Sequence, residues 1–246
     1  MQLSWAPVGY GVVESKVDSG KVTLHPLKRF RTTFTYLAVA LMGSEDERRT
    51  YRKAVNRSHA QVHSGPVSPV EYNAFDPELQ LWVAACLYYG SLDVAVRFGG
   101  PLDDATADAL YEAARPLGTT LQVKPEMWPA SRAEFEEYWE RALERVSIDP
   151  PVREYLYDLA TLRFLPAPLR WPQSRFNLFV TTGFLPPRFR EAMQLEWTDA
   201  DERRFNRLIG VIAAVSRRLP SPLRHFPFNY FLWDFRTRVR LGRRLV

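Results

Sequence analysis

SEDERRTYRKAVNRSHAQVHS, the stretch from Ser44 to Ser64, decides how the chain is read. Ser44 followed by Glu47 has the capping-box spacing, in which each side chain satisfies a backbone N–H left free at a helix start. Tyr51, Ala54, Val55, Ser58, His59 and Val62 then recur at i, i+3, i+4, i+7, i+8 and i+11, one face of an α-helix. Arg48, Arg49, Arg52, Lys53 and Arg57 fall mostly on the other faces. The spacing predicts a helix with His59 inside an otherwise apolar stripe. A neutral imidazole in such a place is either a hydrogen-bonded core residue or a metal ligand, and periodicity leaves both open.

Upstream, Pro26 precedes LKRFRTTFTYLAVALMG, which reads as a helix ending at Gly43. Its first turns carry Lys28, Arg29 and Arg31 and its later part is apolar, so one end is polar and the other buried. Residues 1–28, with Gly9, Gly11 and Gly20, read as an irregular lead with room for one short helix. Downstream, Gly65, Pro66 and Pro69 mark a loop. Asp76-Pro77 then opens ELQLWVAACLYYGSLDVAVRF, with Asp as N-cap and Pro in the first turn. That segment is apolar nearly all round and marks a central helix. Gln80, Asp93 and Arg97 interrupt it, which favours a buried helix over a membrane span.

Further helices are expected after Asp103 or Asp104, after the Ser131–Glu134 capping box, after Asp149-Pro150, over about Gln173 to Gly183, over FREAMQLE, and after the Thr198–Asp201 box. Pro166, Pro168 and Pro172 read as a break, as do Pro220, Pro222 and Pro227. No alternating strand runs with hairpin turns occur. The expected fold class is all-α, a single helical domain over residues 1–246 with roughly eight to ten helices.

Composition narrows the chemistry. Hydrophobic residues make up 46% and charged residues 25%, a globular balance. The single cysteine, Cys86, excludes an intramolecular disulfide and any multi-cysteine zinc or iron–sulfur site, and it reads as a packed core thiol. The start, MQLSWAPVGYGVVESK, lacks the basic and apolar runs of a signal peptide, so a cytoplasmic protein is expected. Residues 217–246 hold eight arginines and one acid, Asp234, a net of +7; the chain totals +5, so residues 1–216 net −2. The aromatic, basic tail at 229–246 reads as a docked helix with a solvated end, and it leaves peripheral membrane contact open. With a net-negative body, no nucleic-acid partner is expected.

Nucleotide-binding glycine loops, HExxH and GxSxG motifs do not occur. His59 and His63 are four apart, so a helix would let both face one metal, though no third ligand is evident. Glutamates such as Glu137, paired with Arg141 at i, i+4, read as solvated faces.

VNRSHAQVHSG, EYNAFDPELQLWV and VRFGGPL together resemble the family of the bacterial latex-clearing proteins and the MpaB-type oxygenases. The likeness runs from residue 25 to 123 and, more weakly, through 183–197, with Val55 to Val83 its specific part. The resemblance implies a globin-like helical core holding haem b, with its iron bound by a histidine in the block that matches VNRSHAQV, hence His59. It also implies an Arg-x-x-x-Thr pair on the preceding helix, matched by Arg29 and Thr33. Arg29 would meet a haem propionate, a charge-assisted contact suited to a guanidinium. The sequence departs from the family pattern twice: Ala84 stands where a histidine is common, and Thr32 where the latex-clearing proteins carry a lysine. The implied activity is haem-dependent oxygenation of a hydrophobic, lipid-like substrate. The alternative is a haem-free relative that binds a lipid or a protein, with His59 a satisfied core residue.

Overall fold

The capping box at Ser44 forms as the spacing predicts: the Glu47 amide donates to Ser44 Oγ at 3.3 Å, and the Ser44 amide donates to Glu47 Oε2 at 2.8 Å. The structure, a computed structural model, describes residues 1–17 and 21–246, so Gly20 lies outside the described residues. The helices are α1 (Ala6–Val13), α2 (Pro26–Met42), α3 (Glu45–His59), α4 (Pro77–Gly99), α5 (Asp104–Ala114), α6 (Pro116–Thr119), α7 (Arg132–Glu144), α8 (Pro150–Ala160), α9 (Ala167–Phe184), α10 (Pro187–Ala192), α11 (Asp199–Arg218), α12 (Ser221–Arg224) and α13 (Phe228–Arg240). Ten of them run eight residues or more, in line with the expected number. Among the described residues there is no strand, only an isolated bridge between His63 and Asn73. The fold is all-α.

The main core forms around α4. Asp76 Oδ1 accepts from the Glu78 amide at 2.8 Å and the Leu79 amide at 3.3 Å, which fixes the start. Gly100 at φ +93° ends it, a backbone state that glycine adopts without strain. Trp82 stacks on Trp5 at 4.8 Å between centroids and on Trp139 at 5.3 Å. The Trp5 indole N–H donates to Ala142 O at 3.0 Å, and that of Trp82 to Gln2 O at 2.9 Å. The first part of the lead is therefore core, not an irregular leader. Glycines hide this in the sequence: a Cβ on Gly9 would lie 2.8 Å from Leu3 O and 3.0 Å from Val152, so glycine lets α1 approach α8. By length and composition α4 would also cross a membrane. Yet Leu81, Trp82, Ala84, Ala85, Cys86 and Tyr88 are buried against other helices. Burial pushes the Cys86 thiol up to about 12, as a packed core thiol requires. Arg97 pairs with Asp93 at 2.8 Å, one turn apart, which accounts for two of the polar interruptions.

Two local expectations are corrected, at Ser131–Glu134 and at the start of α9. Ser131 caps α7, but Glu134 takes the Ala130 amide at 3.0 Å, so that box is not reciprocal. α8 opens at Asp149-Pro150 as expected, with the Asp149 carboxylate accepting from the Tyr10 hydroxyl at 3.1 Å instead of from the helix amides. α9 begins at Ala167, ahead of the expected Gln173. Pro168 falls in the first turn, where no amide N–H is needed, and Pro172 is accommodated inside the exposed half of the helix.

α2 and α3 form an antiparallel hairpin about Gly43. A Cβ on Gly43 would lie 2.5 Å from Val39 O, which is why glycine stands at this tight exit. Arg48 Nε donates to Ala40 O at 3.0 Å, Tyr36 and Tyr51 face each other at 6.4 Å, and the Tyr51 hydroxyl donates to Thr32 O at 2.8 Å. Across the outside of this hairpin lies α13. Its Phe231, Leu232 and Phe235 pack with Ala38, Val39 and Tyr51, and Arg236 pairs with Glu47 at 2.7 Å. The aromatic tail is thus a docked helix.

Candidate functional site at the open end of the hairpin

The register of the hairpin dictates the site. Contacts join Tyr36 to Tyr51 and Arg48 to Ala40, so each step toward the start of α2 is matched by a step toward the end of α3. The first turns of α2 therefore lie level with the last turn of α3, and Arg29 comes alongside His59.

His59 is the last residue of α3, whereas the apolar stripe carries on to Val62. Beyond it the chain turns away to pair with residues 72–74: Ser64 N donates to Tyr72 O at 2.8 Å, and Ala74 N to Val62 O at 2.9 Å. These extended hydrogen bonds compete with the helix and end it. His63 consequently leaves the helix and is exposed, with Nδ1 3.2 Å from Ser64 O, so the two histidines do not share a face. Among the described residues no group of three or more His, Cys, Asp or Glu is placed to hold a metal ion.

The His59 ring is half-buried and meets Phe75 edge-on at 6.4 Å. Its Nδ1 is sealed from solvent and has no hydrogen-bond partner among the described residues. A helix C-terminus favours a protonated imidazole. Here burial wins, seconded by the Arg29 charge, and holds His59 down to about 4. The ring is neutral at physiological pH, with its lone pair free.

Arg29 is exposed and makes no ion pair or side-chain hydrogen bond among the described residues. Tyr155 of α8 lies within reach of its charge: burial raises the phenol and Arg29 opposes the shift. Thr33 sits one turn further along α2, exposed. Thr32 is turned to its own helix, its hydroxyl donating to Arg29 O at 3.1 Å. Of the three residues named from sequence, Arg29 and His59 are brought together, and Thr33 shares the mouth of α2.

Sequence reasoning missed the network that fixes the end of α3. Asn56, three residues before His59, accepts from Gln122 Nε2 at 3.0 Å. The Gln122 amide donates to Gln80 Oε1 at 2.9 Å, and Gln80 Nε2 donates to Gln122 Oε1 at 2.6 Å. The last turn of α3 is thereby tied to the first turn of α4. The available signal was Gln80 itself, a polar residue in an apolar helix. Ala84, the other departure, packs within 3.2 Å of where a Gly118 Cβ would stand. Two surface grooves, of about 480 Å³ beside Trp128 and about 300 Å³ between α3 and α13, are lined by neither His59 nor Arg29.

Fold and site together define an all-helical protein that presents a neutral histidine, and an arginine with no ion pair among the described residues, at the open end of a helical hairpin. The chain belongs to the family described as ER-bound oxygenase mpaB/B'/Rubber oxygenase, catalytic domain, whose model matches residues 1–214. Two relatives carry the name Uncharacterized protein, Rv2237 of Mycobacterium tuberculosis and Mb2261 of Mycobacterium bovis. Each is 55% identical over 246 residues, which is 100% of this chain and 96% of the relative. No solved structure matches the chain.

Proposed function

We propose that the protein is a haem-b-dependent oxygenase acting on a hydrophobic substrate, with His59 as the axial ligand of the iron. One observation carries this reading: a half-buried, neutral imidazole whose Nδ1 has no partner among the described residues, beside a guanidinium that pairs with no acid among them. Nδ1 is closed off by the protein, so Nε2 is the ring nitrogen that a metal would reach. A porphyrin iron would take the imidazole lone pair, and a propionate would take Arg29. The residues present therefore fit the group, and membership of an oxygenase catalytic-domain family supports the same reading. The globin-like core implied by the resemblance belongs to this proposal.

Haem b, when bound, supplies the iron at which O₂ is activated. The chain's own residues do the positioning. Asn56, Gln122 and Gln80 hold the last turn of α3 against α4, which fixes the backbone that carries the ring. Phe75 packs against the ring and limits its rotation. Thr33 offers a hydroxyl at the rim. Thr32, where the latex-clearing proteins carry a lysine, is spent on its own helix, its hydroxyl donating to Arg29 O.

A second reading, a haem-free relative that binds a lipid or a protein, is favoured by Ala84 and Thr32, which stand where the family pattern has a histidine and a lysine. One experiment separates the two: the visible spectrum of wild type and His59→Ala, as isolated and after haem addition. The oxygenase reading expects a Soret band in wild type that is lost or shifted in the variant, with unchanged far-UV circular dichroism. The absence of a band in both samples overturns it.

A further inference from the structure

We propose that α12 and the outer face of α13 form a docking surface for an anionic phospholipid membrane. A surface helix needs one apolar face, and α13 has two. Phe231, Leu232 and Phe235 are buried against α2. On the opposite side, at helical spacing, Tyr230 is 48% exposed and Trp233 61% exposed. Phe226, just before the helix, continues the row: its ring lies 6.4 Å from Tyr230, which lies 6.0 Å from Trp233. Leu223 of α12 is exposed as well, and Asn229 Nδ2 donates to Pro222 O at 2.8 Å, holding α12 beside the start of α13. The row is thus a continuous exposed apolar face with aromatic rings, the composition of interfacial segments.

Charge selects the occupant. Residues 217–246 carry eight arginines and one acid. Arg236 is paired with Glu47 and Arg238 with Asp234. Arg224, Arg240, Arg243 and Arg244 make no ion pair among the described residues. A second copy laid on this face would bring like charge against like charge. An anionic lipid surface meets the arginines with opposite charge and the rings with an interface that suits them. The family match ends at residue 214, so this surface lies outside the catalytic-domain pattern. Through α13 it is nevertheless joined to α2, the helix that carries Arg29.

The test is flotation of the full chain with vesicles of phosphatidylcholine alone and of phosphatidylcholine with phosphatidylglycerol. Variants are Tyr230→Ser/Trp233→Ser and Arg224→Glu/Arg240→Glu. All four residues are exposed, and far-UV circular dichroism reports whether the variants fold. Binding to the anionic vesicles only, weakened by salt and by about tenfold or more in each double variant, is the expected result. Equal binding to both vesicle types, binding to neither, or variants that bind like wild type would each overturn the proposal. So would concentration-dependent dimerisation that Trp233→Ser abolishes while vesicles are ignored, because the face would then belong to a second copy.

Discussion

The two ends of the α2–α3 hairpin are built from the same pair of helices and treat their polar groups in opposite ways. At the Gly43 end every cap is used: Ser44 and Glu47 satisfy each other, and Arg48 closes on Ala40 O. Glu47 also receives Arg236, whose hydrogen bond holds its carboxyl below the usual range. Ala38, Val39 and Ala40 are fully buried beneath. At the other end Arg29 and Thr33 face solvent and His59 Nδ1 has no partner among the described residues. The closed end supplies rigidity, and the open end is left with donors and acceptors to spare. That division is what a binding site on a rigid frame requires.

The largest effect is expected from breaking the closed half. Tyr51 is 1% exposed, packs edge-on to Phe235 and donates to Thr32 O. Tyr51→Ala removes a buried ring between α2, α3 and α13 and is expected to lower unfolding stability by about 3–5 kcal/mol in denaturant titration. A loss below about 1 kcal/mol, the scale of a single hydrogen bond, would show that the hairpin is held elsewhere.

A pH effect comes next and belongs to the open end. In the cofactor-free protein the folded state holds His59 at about 4, against an ordinary value of 6.5. Between those values the unfolded chain takes up a proton that the folded chain refuses. Stability is therefore level above pH 6.5 and falls as the pH drops toward 4, by at most about 3 kcal/mol. His59→Phe should flatten that segment of the melting-temperature curve. A wild-type curve already flat there would put the imidazole in water.

Much of the closed end was legible in the sequence and much of the open end was not. Capping depends on neighbours three residues apart, so Ser44–Glu47, Asp76 and Thr198–Asp201 declare themselves. The apolar run of α4 likewise announces a buried helix. Where a helix stops depends on partners distant in sequence: α3 ends at His59 because residues 62–64 pair with 72–74. Periodicity alone carries the stripe on to Val62. The Asn56–Gln122–Gln80 network spans 66 residues, and only the misplaced Gln80 hinted at it. Resemblance to the family singled out Arg29 and His59, while the hairpin register explains why they meet. The core role of Trp5 stayed hidden because Gly9 and Gly11, needed for close approach, dilute the helical pattern.

The two ends should also respond differently to small changes. Ser44→Ala removes one half of the capping box and is expected to lower stability by about 1 kcal/mol, seen in the same titration, with no effect on haem retention. Arg29→Gln should do the reverse. Arg29 is exposed and has no ion pair among the described residues, so its loss should shift stability by no more than about 0.5 kcal/mol. It also removes a charge that disfavours the protonated His59 ring, so the acid limb of the pH curve should move slightly upward. If a propionate is the missing partner of this guanidinium, haem titrated into Arg29→Gln should bind several-fold more weakly, about the value of one charge-assisted contact. A variant that loses stability yet keeps haem would reverse the roles assigned to the two ends, and the unpaired Arg29 would then be a structural residue of α2.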